Sequence, residues 1–77
     1  MGNKLFIGNL PFSATDASLE ALFSQAGSVA SAKVVTDRET GRSRGFGFVE
    51  MSSGAEAQDA ISKFNGYDCE GRAMAVS

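Results

Sequence analysis

The stretch that decides the fold is residues 44–51, which read Arg-Gly-Phe-Gly-Phe-Val-Glu-Met. Aromatic and β-branched residues favour strands, so we predict a strand from Gly45 to Met51. Side chains alternate between the two faces of a strand, so parity assigns each residue to a face. One face carries Arg44, Phe46, Phe48 and Glu50, and the other carries Gly45, Gly47, Val49 and Met51. The second set is small and aliphatic and suits packing beneath helices, which leaves the aromatic set on the open side of a sheet.

Two more strands are predicted upstream of this stretch. β-Branched residues return from Val29 to Thr36, and the polar, turn-rich residues 37–43 then lead into the strand at Gly45, so these two strands are expected to form a hairpin. Near the N-terminus, residues 5–7 read Leu-Phe-Ile and predict a strand near residues 4 to 9, because Pro11 cannot continue strand pairing. Residues 5 and 7 are its core pair, so Phe6 is expected on the open face.

Two segments have the i, i+3, i+4, i+7 spacing of apolar residues that is typical of an amphipathic helix. They are Leu19, Leu22, Phe23 and Ala26, and Ala57, Ala60, Ile61 and Phe64. The first helix is expected to span about 11 residues, with Thr15 or Ser13 as its N-cap and Gly27 just past its end. Ser53 and Glu56 have the spacing of a capping box for the second helix, which should stop near residues 65–66.

A last strand is predicted from Arg72 to Ser77, with Met74 and Val76 pointing to the core. The predicted order is therefore βαββαβ. Two strand-helix-strand halves make an α+β, ferredoxin-like fold, in which one four-stranded antiparallel sheet carries both helices on one face. With 77 residues, the chain has room for one domain, residues 1–77.

Composition excludes several kinds of chemistry. The chain has one cysteine, Cys69, and no histidine, so it cannot form an internal disulfide, a Cys/His zinc site or a Ser-His-Asp triad. We expect no cofactor, no metal and no enzymatic activity. No secretory signal or membrane-like apolar run is visible, and the single cysteine fits a reducing compartment. The expected location is intracellular, in the cytoplasm, with the nucleus or an organelle as alternatives.

The open sheet face is where function is expected. Phe6, Phe46 and Phe48 would be exposed there, and contiguous exposed apolar patches usually mark binding sites. Lys33 shares the face, Arg44 begins the third strand, and further cations lie in the loop before it. Aromatic rings with a basic rim suit single-stranded nucleic acid, because every base presents a π-face to stack and every phosphate attracts a cation.

Residues 44–51 resemble the octamer of the RNA recognition motif at every defined position except the last, Met51, where the family prefers Phe or Tyr. Residues 5–10, Leu-Phe-Ile-Gly-Asn-Leu, look like the companion hexamer of that family. With the βαβ unit between the two motifs, the resemblance covers essentially the whole chain. The chain is most similar to short single-motif RNA-binding proteins of bacteria and to glycine-rich RNA-binding proteins of plants.

The resemblance implies specific roles for the aromatic residues. Phe6 and Phe48 would each stack one base, Phe46 would insert against the riboses, and Arg44 would pair with a phosphate. The remaining residues of the predicted RNA site are basic: Lys4, Lys33, Arg38 and Arg42. The expected ligand is about two to four nucleotides of single-stranded RNA, or more weakly single-stranded DNA, bound by a monomer.

The net charge of −2 is unusual for a nucleic-acid-binding protein, but the charges are unevenly distributed. Residues 33–44 hold four cations against two acids, a local +2, and the remainder holds three cations against seven acids, or −4. Binding is therefore expected to depend more on stacking than on charge.

Alternative interpretations remain open at this stage. The three phenylalanines could form a core if a helix covered them, and the loop arginines could simply be solvated. A protein-interaction module is the rival function, docking a partner on the aromatic sheet or on the acidic helical face that carries Glu20, Glu56 and Asp59. An acyl-phosphate hydrolase on this fold would need an arginine in its phosphate cradle near the first strand, and residues 8–12 supply none.

Overall fold

The computed structural model describes residues 2–77. The elements, in chain order, are β1 Lys4–Gly8, α1 Asp16–Phe23, β2 Val29–Thr36, β3 Ser43–Met51, α2 Gly54–Phe64, β4 Asp68–Cys69, β5 Arg72–Ala73 and β6 Ala75–Val76. Strands β2, β3, β1 and β6 lie in that order in one sheet, and every neighbouring pair is antiparallel. The predicted α+β, ferredoxin-like fold is confirmed.

Helix α1 begins where the sequence predicts and ends earlier. Thr15 is the N-cap of a capping box: its hydroxyl accepts from the Ser18 amide at 3.0 Å, and the Thr15 amide donates to Ser18 Oγ at 2.8 Å. The helix has eight residues and ends at Phe23. Beyond it, the amide of Ala26 donates to the carbonyl of Phe23, so the chain continues in a tight turn instead of another α-helical turn.

The Glu56 carboxylate links the start of α2 to Ser28, the residue before β2, by hydrogen bonds. The N-cap hydroxyl of Ser53 accepts from the Glu56 amide, which is one half of the predicted capping box. The other half is not formed, because the Glu56 side chain bonds elsewhere than to the Ser53 amide. The Glu56 carboxylate accepts from the Ser53 hydroxyl at 2.8 Å and from the Ser28 amide at 2.7 Å. These two hydrogen bonds hold the pKa of Glu56 below its usual value of 4.5, with the Ser28 amide as the larger cause.

The core lies between the sheet and the two helices. Its buried members are Leu5, Ile7, Leu10, Leu19, Phe23, Val34, Val49, Met51, Ala57, Ala60, Phe64, Met74 and Val76. The rings of Phe23 and Phe64, one at the end of each helix, lie 4.8 Å apart between centroids. Within residues 2–77 no polar or charged side chain is buried, so the core is entirely apolar. Because both helices pack on this one face of the sheet, the opposite face is left to solvent.

The predicted last strand, residues 72–77, is interrupted, and the single-strand prediction is wrong. Residues 72–73 pair with residues 68–69 in a separate two-stranded hairpin, and only β6 joins the main sheet, next to β1. The turn of the hairpin needs left-handed backbone at Glu70 (φ 53°) and Gly71 (φ 86°). Met74 and Val76 are buried as predicted, and Cys69 is half-buried in β4.

The two glycines of β3 have a different role from the one expected. A Cβ at Gly47 would clash with the carbonyl oxygen of Lys33 and lie 3.1 Å from Val34 Cα, so the close neighbour is the backbone of β2 and not a helix. Gly45 has a φ of +84°, at the irregular start of β3 where its amide donates to Ser43 Oγ. Both positions need glycine for backbone reasons.

Candidate nucleic-acid interface

Phe6, Phe46 and Phe48 lie together on the open face and form what we call the aromatic platform. Phe6 and Phe48 are direct partners across β1 and β3, so their side chains project to the same face. The ring centroids are 5.7 Å apart for Phe6 and Phe46, 5.8 Å for Phe6 and Phe48, and 6.4 Å for Phe46 and Phe48. Each ring therefore contacts both of the others.

The platform is open to solvent. Phe6 is 41% exposed and Phe48 is 39% exposed, which are high values for phenylalanine in a strand. Phe46 is half-buried, in close contact with both other rings. The helices pack on the opposite face, where the core lies, so the alternative of a helix-covered aromatic core is wrong.

The loop between β2 and β3 is held by hydrogen bonds around Asp37, and Arg44 acts on the charge of that acid. The Asp37 amide donates to the Arg42 carbonyl at 2.7 Å, and Asp37 Oδ1 accepts from the amides of Glu39 and Thr40. These two backbone hydrogen bonds lower the pKa of Asp37, and the charge of Arg44 lowers it further. Arg44 is thus partly compensated by a carboxylate at the rim of the open face.

Two other predicted cations, Arg38 and Arg42, are exposed in the same loop. Arg42 also lines a cleft of about 860 Å³ between this loop and residues 12–17, on the helical side of the sheet. The platform itself is a surface and not a pocket. Arg38 and Arg42 thus lie in the β2–β3 loop, outside the strands β1 and β3 that carry the three rings.

Lys33 lies on the open face but reaches toward an acid at the sheet edge. It is the β2 partner of Phe48, which puts it beside the platform. Its Nζ lies 3.8 Å from Asp16 Oδ2, and the other oxygen of Asp16 accepts from the Val34 amide at 2.7 Å. This is the only ion pair within residues 2–77. A phosphate would compete with Asp16 for Lys33.

At the opposite end of the platform, Lys4 and Glu50 are partners across β1 and β3. Lys4 is exposed and Glu50 is half-buried. Both share the face of Phe6 and Phe48 by strand parity. The Glu50 carboxylate therefore lies beside the Lys4 cation on the open face, and its negative charge weakens the attraction of Lys4 for a phosphate.

The sequence did not predict a cluster at the end of β1. Asn9 and Phe12 follow that strand, and Arg72 of β5 lies against both of them. The Arg72 guanidinium carbon lies 5.1 Å from the Phe12 ring centroid, and Arg72 Nη1 donates to Asn9 Oδ1 at 3.0 Å. The ring of Phe12 is 65% exposed. No spacing rule could have joined residues separated by about 60 positions, because the β4–β5 hairpin that brings them together was not predicted.

Within the described part of the chain, no cluster of His, Cys, Asp and Glu is arranged to hold a metal ion. None of the helices there combines the length and apolar character that crossing a bilayer requires.

The sequence profile described as the RNA recognition motif matches residues 5–75. The chain is 55% identical over 74 residues to the chloroplastic 29 kDa ribonucleoprotein A of Nicotiana sylvestris, covering 96% of this chain and 27% of that protein. It is 54% identical to the chloroplastic 28 kDa ribonucleoprotein of Spinacia oleracea, over 96% of this chain and 32% of that one. The chain therefore spans about a quarter to a third of the length of these relatives.

Among solved structures, the RNA binding protein PG1 superposes with a TM-score of 0.94 at 43% identity, covering 99% of this chain and 92% of that one. The profile match at residues 5–75 includes both motifs and both helices. The Met51 departure leaves the platform unchanged, since Met51 is buried in the core. Because the profile matches residues 5–75 and the Nicotiana and Spinacia relatives are 55% and 54% identical, the chain belongs to the RNA recognition motif family.

Proposed function

We propose that this chain is a non-enzymatic domain that binds single-stranded RNA on its open sheet face. The observation that carries the proposal is the aromatic platform, three rings within 6.4 Å of one another on a face that no helix covers. An exposed apolar surface of this kind has a cost in water that a bound base would remove. The solved Sxl-lethal protein/RNA complex, which superposes with a TM-score of 0.91 at 36% identity, supports this proposal.

Each ring would contact a different part of the RNA, as the family resemblance implies. Phe6 and Phe48 would each stack a base, and Phe46 would lie against the riboses. Base stacking on an aromatic side chain contributes about 1 to 3 kcal/mol per base and tolerates every base, since each has a π-face. The area of three rings suits about two to four nucleotides.

The cations would hold the phosphates around this platform. Arg44 is the leading candidate, on the same strand face as two of the rings, with Lys4, Lys33, Arg38 and Arg42 at the rim. Asp16, Asp37 and Glu50 oppose several of them, so we expect only about two to four phosphate contacts. At about −0.7 per contact, the slope of log affinity against log salt would be about −1.5 to −3.

The deciding experiment is titration of the chain with short homopolymeric and mixed RNAs at two salt concentrations. The test variant replaces Phe6, Phe46 and Phe48 with Ala together. The matched control is Tyr67→Ala, which removes an exposed ring outside the platform. We expect the triple variant to fold, since none of the three rings is in the core, and to lose RNA binding, while the control keeps it.

Unchanged RNA binding by the folded triple variant would contradict the proposal. Parallel titration with DNA of the same sequence tests the expectation that single-stranded DNA binds more weakly. The protein-interaction alternative is not favoured by the family match, and a monomeric state is tested by sedimentation of the same sample.

The protein that carries this domain would act on RNA inside the cell. The names of the Nicotiana and Spinacia relatives place those proteins in the chloroplast, which supports an organellar location over the cytoplasmic one expected from the sequence. Imaging of the tagged full-length protein tests this location.

A further inference from the structure

A second aromatic and cationic group lies at the exit of β1, and we call it the exit cluster: Asn9, Phe12 and Arg72. Asn9 takes a left-handed backbone conformation with φ 58°, and its Nδ2 donates to the Ala73 carbonyl at 3.0 Å. Its Oδ1 accepts from Arg72 Nη1 at 3.0 Å. The side chain of Asn9 thus orients the guanidinium from one side while the Phe12 ring supports it at 5.1 Å.

The exit cluster adjoins the aromatic platform. A Cβ at Gly8 would lie 3.1 Å from Cε2 of Phe6, so the Phe6 ring extends over Gly8 toward the exit of β1. On the other side, the Leu10 amide donates to the Gly45 carbonyl at 2.8 Å, and Cε1 of Phe12 would lie 3.5 Å from a Cβ at Gly45. Phe12 therefore lies beside Gly45 at the start of β3, where it also lines the cleft between residues 12–17 and the β2–β3 loop.

The exit cluster also has unused binding capacity. A guanidinium has five N–H donors. Within residues 2–77, the Arg72 guanidinium makes one hydrogen bond, the one to Asn9. In residues 2–77 no carboxylate lies within ion-pair distance of Arg72. Phe12, whose ring lies beneath it, is 65% exposed. A cation with unused donors over an exposed ring matches the two parts of a nucleotide, its phosphate and its base.

We propose that the exit cluster binds one further nucleotide of the RNA strand, beyond those held on the aromatic platform. Arg72 contacts its phosphate and Phe12 contacts its base, while Asn9 orients Arg72. This inference rests on the proposed function, because a further nucleotide is reached only by a strand already bound to the platform. The RNA path then runs along β1 and leaves the sheet between the β2–β3 loop and the β4–β5 hairpin.

The test compares RNAs of about three and about six nucleotides, since only the longer strand can occupy both the platform and the exit cluster. The variants are Phe12→Ala and Arg72→Lys, which keeps the charge and removes the planar fork. Tyr67→Ala and Lys63→Ala are the matched controls, an exposed ring and a cation at the end of α2. Circular dichroism and the Tm establish that each variant is folded.

Wild type should bind the longer RNA more tightly than the shorter one. Phe12→Ala should weaken binding of the longer RNA about fivefold or more and leave the shorter one unchanged, and Arg72→Lys should act in the same direction. In NMR titrations of the wild type, the side-chain amide of Asn9 and the backbone amide of Arg72 should shift with the longer RNA only.

Equal affinity of wild type and variants for the longer RNA would overturn the inference. So would an equal loss for both RNAs, which would mean that Arg72 acts only by holding the hairpin and Asn9 in place. Failure of wild type to bind either RNA would instead overturn the proposed function, and the exit cluster with it.

Discussion

Phe6 and Phe48 face each other across β1 and β3, with ring centroids 5.8 Å apart and planes inclined by 64°. An edge-to-face contact of this kind is favourable and fixes both rings before any ligand arrives. The strand register therefore does more than place two aromatic residues on one face. The contact between the two rings also fixes the orientation of each side chain, so we expect the contributions of Phe6 and Phe48 to binding to be coupled.

The first prediction concerns this pair. Phe48→Ala should weaken RNA binding by about 1 to 3 kcal/mol, because one stacking surface is lost. Phe48→Tyr should keep most of the affinity, since the ring and its edge-to-face contact remain. The Phe6→Ala, Phe48→Ala double variant should lose less than the sum of the single losses. Calorimetric titration of the wild type, the two single alanine variants, the double variant and Phe48→Tyr measures this, and strict additivity would show that the rings do not support each other.

The second prediction concerns the ion pair of Lys33 and Asp16. Asp16→Asn should increase RNA affinity by up to about fivefold at low salt, because Lys33 then meets the phosphates without a competing carboxylate. The asparagine oxygen can still accept from the Val34 amide. Asp59→Asn is the control, with the same charge change on α2, and should have a smaller effect. Equal gains for the two variants would point to net charge and not to the pair.

The third prediction concerns the close approach of two strands. Gly47→Ala should destabilise the domain by at least about 2 kcal/mol, because the added methyl would meet the backbone of β2 at Lys33 and Val34. Gly54→Ala is the control, since the nearest atom to its Cβ is 4.0 Å away and alanine favours a helix. Urea unfolding measures both variants. A Gly47→Ala protein as stable as wild type would contradict the observed spacing of β2 and β3.

The fourth prediction follows from the lowered pKa of Glu56. A carboxylate with a lower pKa in the folded state adds stability above its unfolded pKa, and that stability is lost as the pH falls through the folded value. Glu56→Gln should therefore reduce the free energy of unfolding at neutral pH. The difference from wild type should shrink as the pH drops below about 4.5, the usual value for this group.

Thermal unfolding between pH 7 and pH 2.5 measures this difference. Glu20→Gln is the control, because no hydrogen bond to the Glu20 carboxylate is present within the described residues. A constant difference between wild type and Glu56→Gln at every pH would mean that the Ser28 and Ser53 contacts do not depend on charge.

Much of the fold could be predicted because local signals agreed with one another. The alternation in residues 44–51 separated Phe46 and Phe48 from Val49 and Met51, and the structure keeps that separation. The capping residues Thr15 and Ser53 located both helix starts for the same reason, since a cap is a hydrogen bond within four residues.

What could not be predicted depends on contacts between distant residues. The Asp16 carboxylate accepts a hydrogen bond from the Val34 amide of β2, and Arg72 donates one to Asn9. Neither pair has a spacing that a periodic pattern could reveal. The β4–β5 hairpin was missed because its strands have two residues each, too few for alternation to be recognised. The basic residues proposed for the site were chosen by residue type, and their acidic neighbours became visible only in three dimensions.

The contact of Asp16 with Val34 has a consequence for association between molecules. β2 is an outermost strand, and an outermost strand with unpaired amides can recruit a strand from another chain and begin aggregation. The Asp16 carboxylate occupies the amide of Val34 and adds a negative charge at that border. A sheet that leaves three phenylalanines uncovered on one face thus has, at this amide of its outer strand, no free donor for pairing with a strand of a second copy.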